Sequence, residues 1–500
     1  MVRFVMICGT ASHVGKSIIT AALCRLLVDR GFKVAPFKAQ NMSLNSWVTK
    51  DGEEIGIAQA VQAWAAKTEP SADMNPVLLK PKGDMTSQVI VHGKPIGDKQ
   101  VGEYYDSVDV IFEDICHSLK ALAESYEVIV IEGAGSPAEI NLWERDIANF
   151  RIARSVDAPV ILVGDIERGG VFASLYGTIK LLPVDDRRRI RGIIINKFRG
   201  EEKLLEPGLK QLERLTSIPV LGVIPFMKVR LPSEDSVSLG DKLPSSHHEL
   251  EIAVIRLPHI SNFTDFEPLE AVARIRYVAL ESDLGSPDVV IIPGTKNTID
   301  DLTAMRHSGM DMQIIGKAGT IPIIGICGGF QMLGESLIDE GLEGVQNEHK
   351  AFDGLKLLHV KTVFNSREKQ TKQVEKSVTG NGPLLDSLRG QTIRGYEIHM
   401  GTTASNSPIF GDDGAQDDAG LILGTYLHGL FHNDNFRTAL LSYVRSEHQP
   451  EQQEVHKSSS LVFTSPNSSQ PETETDPYDE LAWAIREHLD VEALYSIMDL

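Results

Sequence analysis

Ile321-Pro-Ile-Ile-Gly-Ile-Cys327-Gly-Gly-Phe-Gln331-Met-Leu-Gly334 is an apolar run that ends on a cysteine, passes through two glycines and opens into a helical pattern. A strand followed at once by a helix, with a reactive residue on the turn between them, is the geometry of a nucleophile elbow. The turn lifts Cys327 to the carboxyl end of a parallel strand. There the positive end of the helix favours a thiolate, and adjacent backbone N–H groups can hold an oxyanion. Further along, Gly424-Thr-Tyr-Leu-His428-Gly-Leu-Phe431 carries a histidine on a strand-like run, a candidate base for the thiol. Spacing alone leaves open whether the two side chains meet.

A second strand-loop-helix unit stands at the other end of the chain. Val2 to Cys8 reads as a buried strand, Gly9-Thr10-Ala-Ser-His-Val-Gly15-Lys16-Ser17 follows, and an amphipathic helix runs to about Arg30. This is the context of a phosphate cradle. Backbone N–H groups and the helix dipole face the phosphates, Lys16 reaches the β and γ oxygens, and the Ser17 hydroxyl takes Mg²⁺. The alternative is a tight turn packing helix on sheet, and the Lys-Ser pair weighs against it. Glu132, at the end of Val128-Ile-Val-Ile-Glu132-Gly-Ala-Gly135, is placed to hold Mg²⁺ opposite Ser17, the plainer reading being a solvated turn acid. Phe37-Lys38-Ala-Gln40-Asn41-Met-Ser43-Leu-Asn45-Ser46 suits carboxylate or phosphate oxygens, although on its own a polar capped loop explains it better.

At 500 residues the chain exceeds one core. It divides into a nucleotide-binding domain over 1–240, a linker over 241–250 and a second α/β domain over 251–446. A polar low-complexity segment over 447–477 and a helix over 478–500, docked on the protein body or on a partner, complete it. Both large domains are read as doubly wound α/β sheets. A formal charge of -20 repels nucleic acid and anionic lipid, and no local basic patch offsets it. Four cysteines without close pairing point to a reducing, cytoplasmic setting, with Cys8, Cys24 and Cys116 buried and inert. No apolar run approaches the ~20 residues of a bilayer span, and the apolar start is too short for a signal peptide.

The stretch Gly325-Ile-Cys327-Gly-Gly-Phe-Gln331 with a distant histidine resembles the class I, triad-type glutamine amidotransferase domain. It departs from that pattern where His428-Gly429-Leu430 replaces the usual His-x-Glu, and the cobyric acid and cobyrinic acid amide synthases are similar in lacking that acid. The first domain is similar to dethiobiotin synthetase, with five residues instead of four between Gly9 and Gly15. Residues 37–46, Asp165 to Gly177 and Arg394 to Gly401 also resemble the cobyric acid synthase family.

That resemblance implies an amidoligase using ATP with Mg²⁺, L-glutamine and a corrinoid polycarboxylic acid, with no prosthetic group. It implies that Cys327 and His428 are catalytic, with oxyanion donors at Gly294 and Gly328. It assigns ATP contacts to Gly9, Thr10, Gly15, Lys16, Ser17 and an adenine-contacting Asn196, substrate contacts to Lys38, Asn41, Ser43 and Arg168, and metal contacts to Ser17 and Glu132. His399 is read as a satisfied core histidine rather than a pocket member. Two other readings stand beside it: a cobyrinic acid a,c-diamide synthase, and a partitioning-type ATPase switch with an inactive amidotransferase domain. Against the switch, Thr10 stands where such ATPases usually carry an extra lysine.

Overall fold

The computed structural model describes residues 2–83, 85–227, 231–232, 249–343, 349–365, 369–448 and 476–500. Residues 241–248 of the expected linker and 449–475 of the polar segment lie outside the described residues. Two compact units emerge. One comprises Met1–Ser43, Glu53–Glu234 and Thr475–Leu500, and the other Leu44–Gly52 and Asp235–Glu474. Residues 44–52, which the sequence set within the first domain, belong to the second unit, and the C-terminal residues belong to the first.

The first unit is built on a six-stranded parallel sheet in the order Val220–Pro225, Ile190–Phe198, Val160–Asp165, Arg3–Gly9, Val128–Glu132, Val34–Phe37. Runs such as Val128 to Ile131 and Val160 to Val163 are wholly buried, as parallel strands covered on both faces must be. The chain starts in the middle strand and winds outward both ways. The loops after Arg3–Gly9, Val128–Glu132 and Val160–Asp165 therefore gather at the switch point, where doubly wound sheets bind ligands.

The C-terminal residues form two helices, Pro477–Arg486 and Val491–Ile497, where the periodicity suggested one. The break comes where the Asp490 carboxylate accepts the Ala493 N–H and starts the second helix. Leu481, Ile485 and Leu494 share a core with Leu23 and Leu27 of the helix Lys16–Asp29, and buried Arg25 donates to Asp476 at 2.7 Å.

The second unit also centres on six strands, in the order Arg274–Ala279, Glu251–Arg256, Val289–Ile292, Ile323–Ile326, Ile422–Thr425, Ala415–Gln416. The first five are parallel and the short last one antiparallel. A three-stranded antiparallel sheet of Gln370–Ser377, Thr392–His399 and Leu427–His428 carries the histidine. Cys8 and Cys24 are buried, but Cys116 is only half-buried on the helix Val108–Ser125, because its neighbours Ile111, Ile115 and Leu119 take the core-facing stripe.

Candidate active site

Cys327 stands between the strand Ile323–Ile326 and the helix Gly328–Leu333 with φ 51° and ψ -107°, a backbone state that L-residues avoid and that surrounding structure must enforce. Close packing enforces it here. A methyl group on Gly329 would run into the Ile292 carbonyl, and one on Gly328 would lie 2.6 Å from Thr295 Cγ2. The elbow thus presses against the loop after the strand Val289–Ile292, which brings Gly294 and Thr295 to the nucleophile turn. From the other side, a methyl on Gly294 would lie 3.0 Å from His428 Cε1. Gln331 locks the elbow helix, accepting from the Thr298 hydroxyl at 2.9 Å and donating to the Met400 carbonyl at 2.9 Å and the Tyr426 oxygen at 3.1 Å.

His428 is fully buried and interacts electrostatically with the Cys327 side chain, whose thiol donates to the Ile398 carbonyl at 3.4 Å. Its Nδ1 lies 2.7 Å from Asp265 Oδ2, and the other oxygen of the same carboxylate accepts the Gly429 N–H at 2.9 Å. Burial alone pushes the imidazole pKa down, but the charge and hydrogen bond of Asp265, with the Cys327 interaction, carry it up to about 10. Asp265 comes from the helical turn Phe263–Phe266, whose two phenylalanines are wholly buried and turn the carboxylate inward. A carboxylate, an imidazole and a thiol in series can deprotonate the sulfur and protonate an amide leaving group.

The sequence reading missed Asp265. A signal was present, since Asn262-Phe-Thr-Asp265-Phe sets a carboxylate between aromatic residues soon after a strand end, but the usual His-x-Glu position drew attention elsewhere. His399 is partly buried and stacks on Tyr426 with ring centroids 3.7 Å apart, and its Nδ1 lies 3.1 Å from the Gly401 carbonyl.

In the first unit the loop from Gly9 to Ser17 leads into the helix Lys16–Asp29 through Gly15 at φ 100°. A methyl group on Gly15 would strike the Asn196 amide, which donates to the Val14 carbonyl at 2.9 Å, so Asn196 braces the loop from below. Thr10 N–H donates to the Val163 carbonyl, and the Lys16 ammonium lies over the loop on the Ala11 and Gly135 carbonyls at 2.9 and 3.2 Å. Glu132 is buried and accepts from the Ser17 hydroxyl, from Lys38 Nζ at 2.9 Å in both cases, and from the Gln62 amide. These donors satisfy the buried carboxylate, and Lys38 neutralises its charge.

The remaining assigned residues sit differently. Asn41 and Ser43 are buried, the Asn41 amide donating to Gln59 at 3.0 Å, while Arg168 is exposed beside the end of the strand Val160–Asp165. Lys197 pairs with Asp165 at 2.8 Å, and Arg199 with Glu167 at 3.1 Å. No cluster of three or more metal-ligating side chains occurs among the described residues, and no helix there is long and apolar enough to cross a membrane.

Comparison with known proteins matches both units. Residues 5–238 fit the CobQ/CobB/MinD/ParA nucleotide binding domain, and residues 251–436 the CobB/CobQ-like glutamine amidotransferase domain. A probable cobyric acid synthase of Methanococcoides burtonii is 57% identical over 500 residues, covering 100% of this chain and 97% of that one. Those of Methanosarcina acetivorans and Methanocella arvoryzae are 56% and 55% identical, each covering 99% of the relative and at least 99% of this chain. The chain belongs to the cobyric acid synthase family.

Proposed function

We propose that this chain uses ATP and glutamine to amidate peripheral carboxylates of adenosylcobyrinic acid a,c-diamide, giving adenosylcobyric acid, and that it does so in the cytoplasm. Glutamine-dependent amidation in cobalamin biosynthesis is the activity of the family. The observation that carries the reading is the Asp265–His428–Cys327 series on a nucleophile elbow. The Cys327 sulfur attacks the glutamine side-chain carbonyl, and backbone N–H groups around Gly294 and Gly328 take the developing oxyanion. His428, which takes the thiol proton and is stabilised in its charged form by Asp265, gives that proton to the departing nitrogen, so ammonia leaves and a glutamyl thioester remains. Water attacks that thioester, with His428 accepting its proton, and glutamate and free thiol return.

A carboxylate resists ammonia because its leaving group would be oxide. Transfer of the γ-phosphoryl group makes an acyl phosphate whose leaving group is phosphate, and ammonia must stay shielded from protonation until it attacks. Lys16 and the loop that runs from Gly9 and Thr10 through Gly15 into the helix Lys16–Asp29 hold the phosphates. The Ser17 hydroxyl and the buried Glu132 carboxylate fit a hard, oxygen-seeking cation, and they would hold Mg²⁺. When bound, Mg²⁺ neutralises charge on the β and γ oxygens. The pairing of Lys38 with Glu132 supports a role for that lysine at the γ-phosphate or the substrate acid, and the exposure of Arg168 supports contact with a corrinoid acid.

Supplying the diamide and the unamidated acid separately, with ATP and glutamine, tests the substrate. Amide formation on the diamide alone is expected, whereas amidation confined to the unamidated acid would favour the a,c-diamide synthase reading. ATP turnover stimulated by DNA or membrane, without need of a corrinoid, would favour the switch.

A further inference from the structure

Leu44–Gly52 lies in sequence between two segments of the nucleotide-binding unit, yet it is part of the amidotransferase unit. Its contacts there converge on His428. Asn45 is 1% exposed, and its side-chain carbonyl accepts the Phe263 N–H at 3.1 Å. The Ser46 N–H donates to Asn262 Oδ1 at 2.9 Å, and the Ser46 carbonyl accepts from the Tyr396 hydroxyl at 3.3 Å. Val48 is wholly buried against Tyr396 and Ile398, and its carbonyl accepts from Gln373.

Two of these partners touch the histidine directly. The Ser46 donor fixes which end of the Asn262 amide is oxygen, and so directs Nδ2 toward His428 Nε2 at 3.4 Å. Tyr396, in edge contact with Trp47 at 5.0 Å between ring centroids, stacks on the His428 ring at 5.4 Å and 16°. Asn262 has φ 53°, a left-handed state that asparagine tolerates better than most residues. The catalytic imidazole is therefore fixed at Nδ1 by its own unit's Asp265, and at Nε2 and its face by groups that the 44–52 segment holds in place.

We propose that Leu44–Gly52 is a strap that sets the working position of His428 through Asn262 and Tyr396, making these two positioning residues for glutamine hydrolysis. The proposal rests on the glutaminase reading of Cys327 and His428.

The test uses the full chain and follows glutamate release from glutamine beside ammonium-supported amidation of the corrinoid acid. Trp47→Ala and Asn262→Ala are each expected to lower kcat for glutamine about ten- to a hundredfold, the range for a misplaced catalytic group, with KM moved by less than about twofold. Trp47→Phe should restore most of the loss, and ammonium-supported amidation by Trp47→Ala should match the parent chain. Unchanged glutamine kcat in both alanine variants would overturn the strap, as would a loss shared equally with the ammonium reaction or one seen in KM alone. Cys327→Ala, measured alongside, separates the two ideas. If it still hydrolyses glutamine the glutaminase reading itself fails, and if it does not while the strap variants are unaffected, only the strap fails.

Discussion

Asp265 Oδ2 and His428 Nδ1 lie 2.7 Å apart although 163 residues separate them in the chain. The carboxylate comes from a turn near the start of the amidotransferase unit and the imidazole from a strand near its end. The pair stands where an acid two residues after the histidine would act in the usual triad, and it supports the reading that His428-Gly429-Leu430 works without one.

Asp265→Asn should lower glutamine-dependent turnover by about 10²- to 10⁴-fold with little change in KM, since the imidazole loses the group that sets its tautomer and stabilises its charged form. The imidazole pKa then falls from about 10, so the alkaline limb of the glutaminase pH profile moves to lower pH. Steady-state kinetics across pH checks both. Parent-like kcat in the variant would mean that Asp265 does not orient the histidine.

Lys16→Ala should stop amide formation with glutamine or with ammonium, because both routes need the activated acid. A loss of about a hundredfold or more is expected for a residue that stabilises the transferred phosphoryl group. Product analysis under each nitrogen source measures it, and activity surviving with ammonium would remove Lys16 from the activation step.

Gly329→Ala should destabilise the amidotransferase unit by about 1–3 kcal/mol, the usual cost of overpacking, because its methyl meets the Ile292 carbonyl rather than a side chain that can turn away. Thermal unfolding followed with and without a glutamine analogue reads the effect, and an unshifted transition would show that the elbow is looser than described.

Glu397 supplies an acid-side signature. Burial raises its pKa, but the nearby His399 and the ion pairs with Lys376 and Lys372 prevail and bring it down to about 2. A carboxylate depressed below its ordinary value near 4.5 adds stability that is present above that value and is lost as pH falls toward about 2. Glu397→Gln should therefore flatten the fall in stability between those two pH values, as measured by denaturant unfolding. An identical slope in the variant would contradict the assignment.

The parallel strands, the phosphate loop and the elbow were legible because each is a local pattern: apolar β-branched runs closed by glycine, then a helix. Asp265 was not, since nothing local ties a carboxylate in Asn262-Phe-Thr-Asp265-Phe to a histidine far along the chain. The path of Leu44–Gly52 was hidden for the same reason. Its polar residues read as a nucleotide-unit loop, whereas Asn45 and Ser46 satisfy backbone and amide groups of the amidotransferase unit. The C-terminal pattern at Leu481, Ile485 and Leu494 correctly marked an apolar face but not the break, which depends on the Asp490 cap.

The central claim, that a thiol half makes the nitrogen that a phosphate-binding half attaches to an acid, is tested most directly by Cys327→Ala assayed with each nitrogen source. The account predicts no amide formation from glutamine and parent-like formation from ammonium salts. Loss of both, or retention of glutamine use, would contradict it.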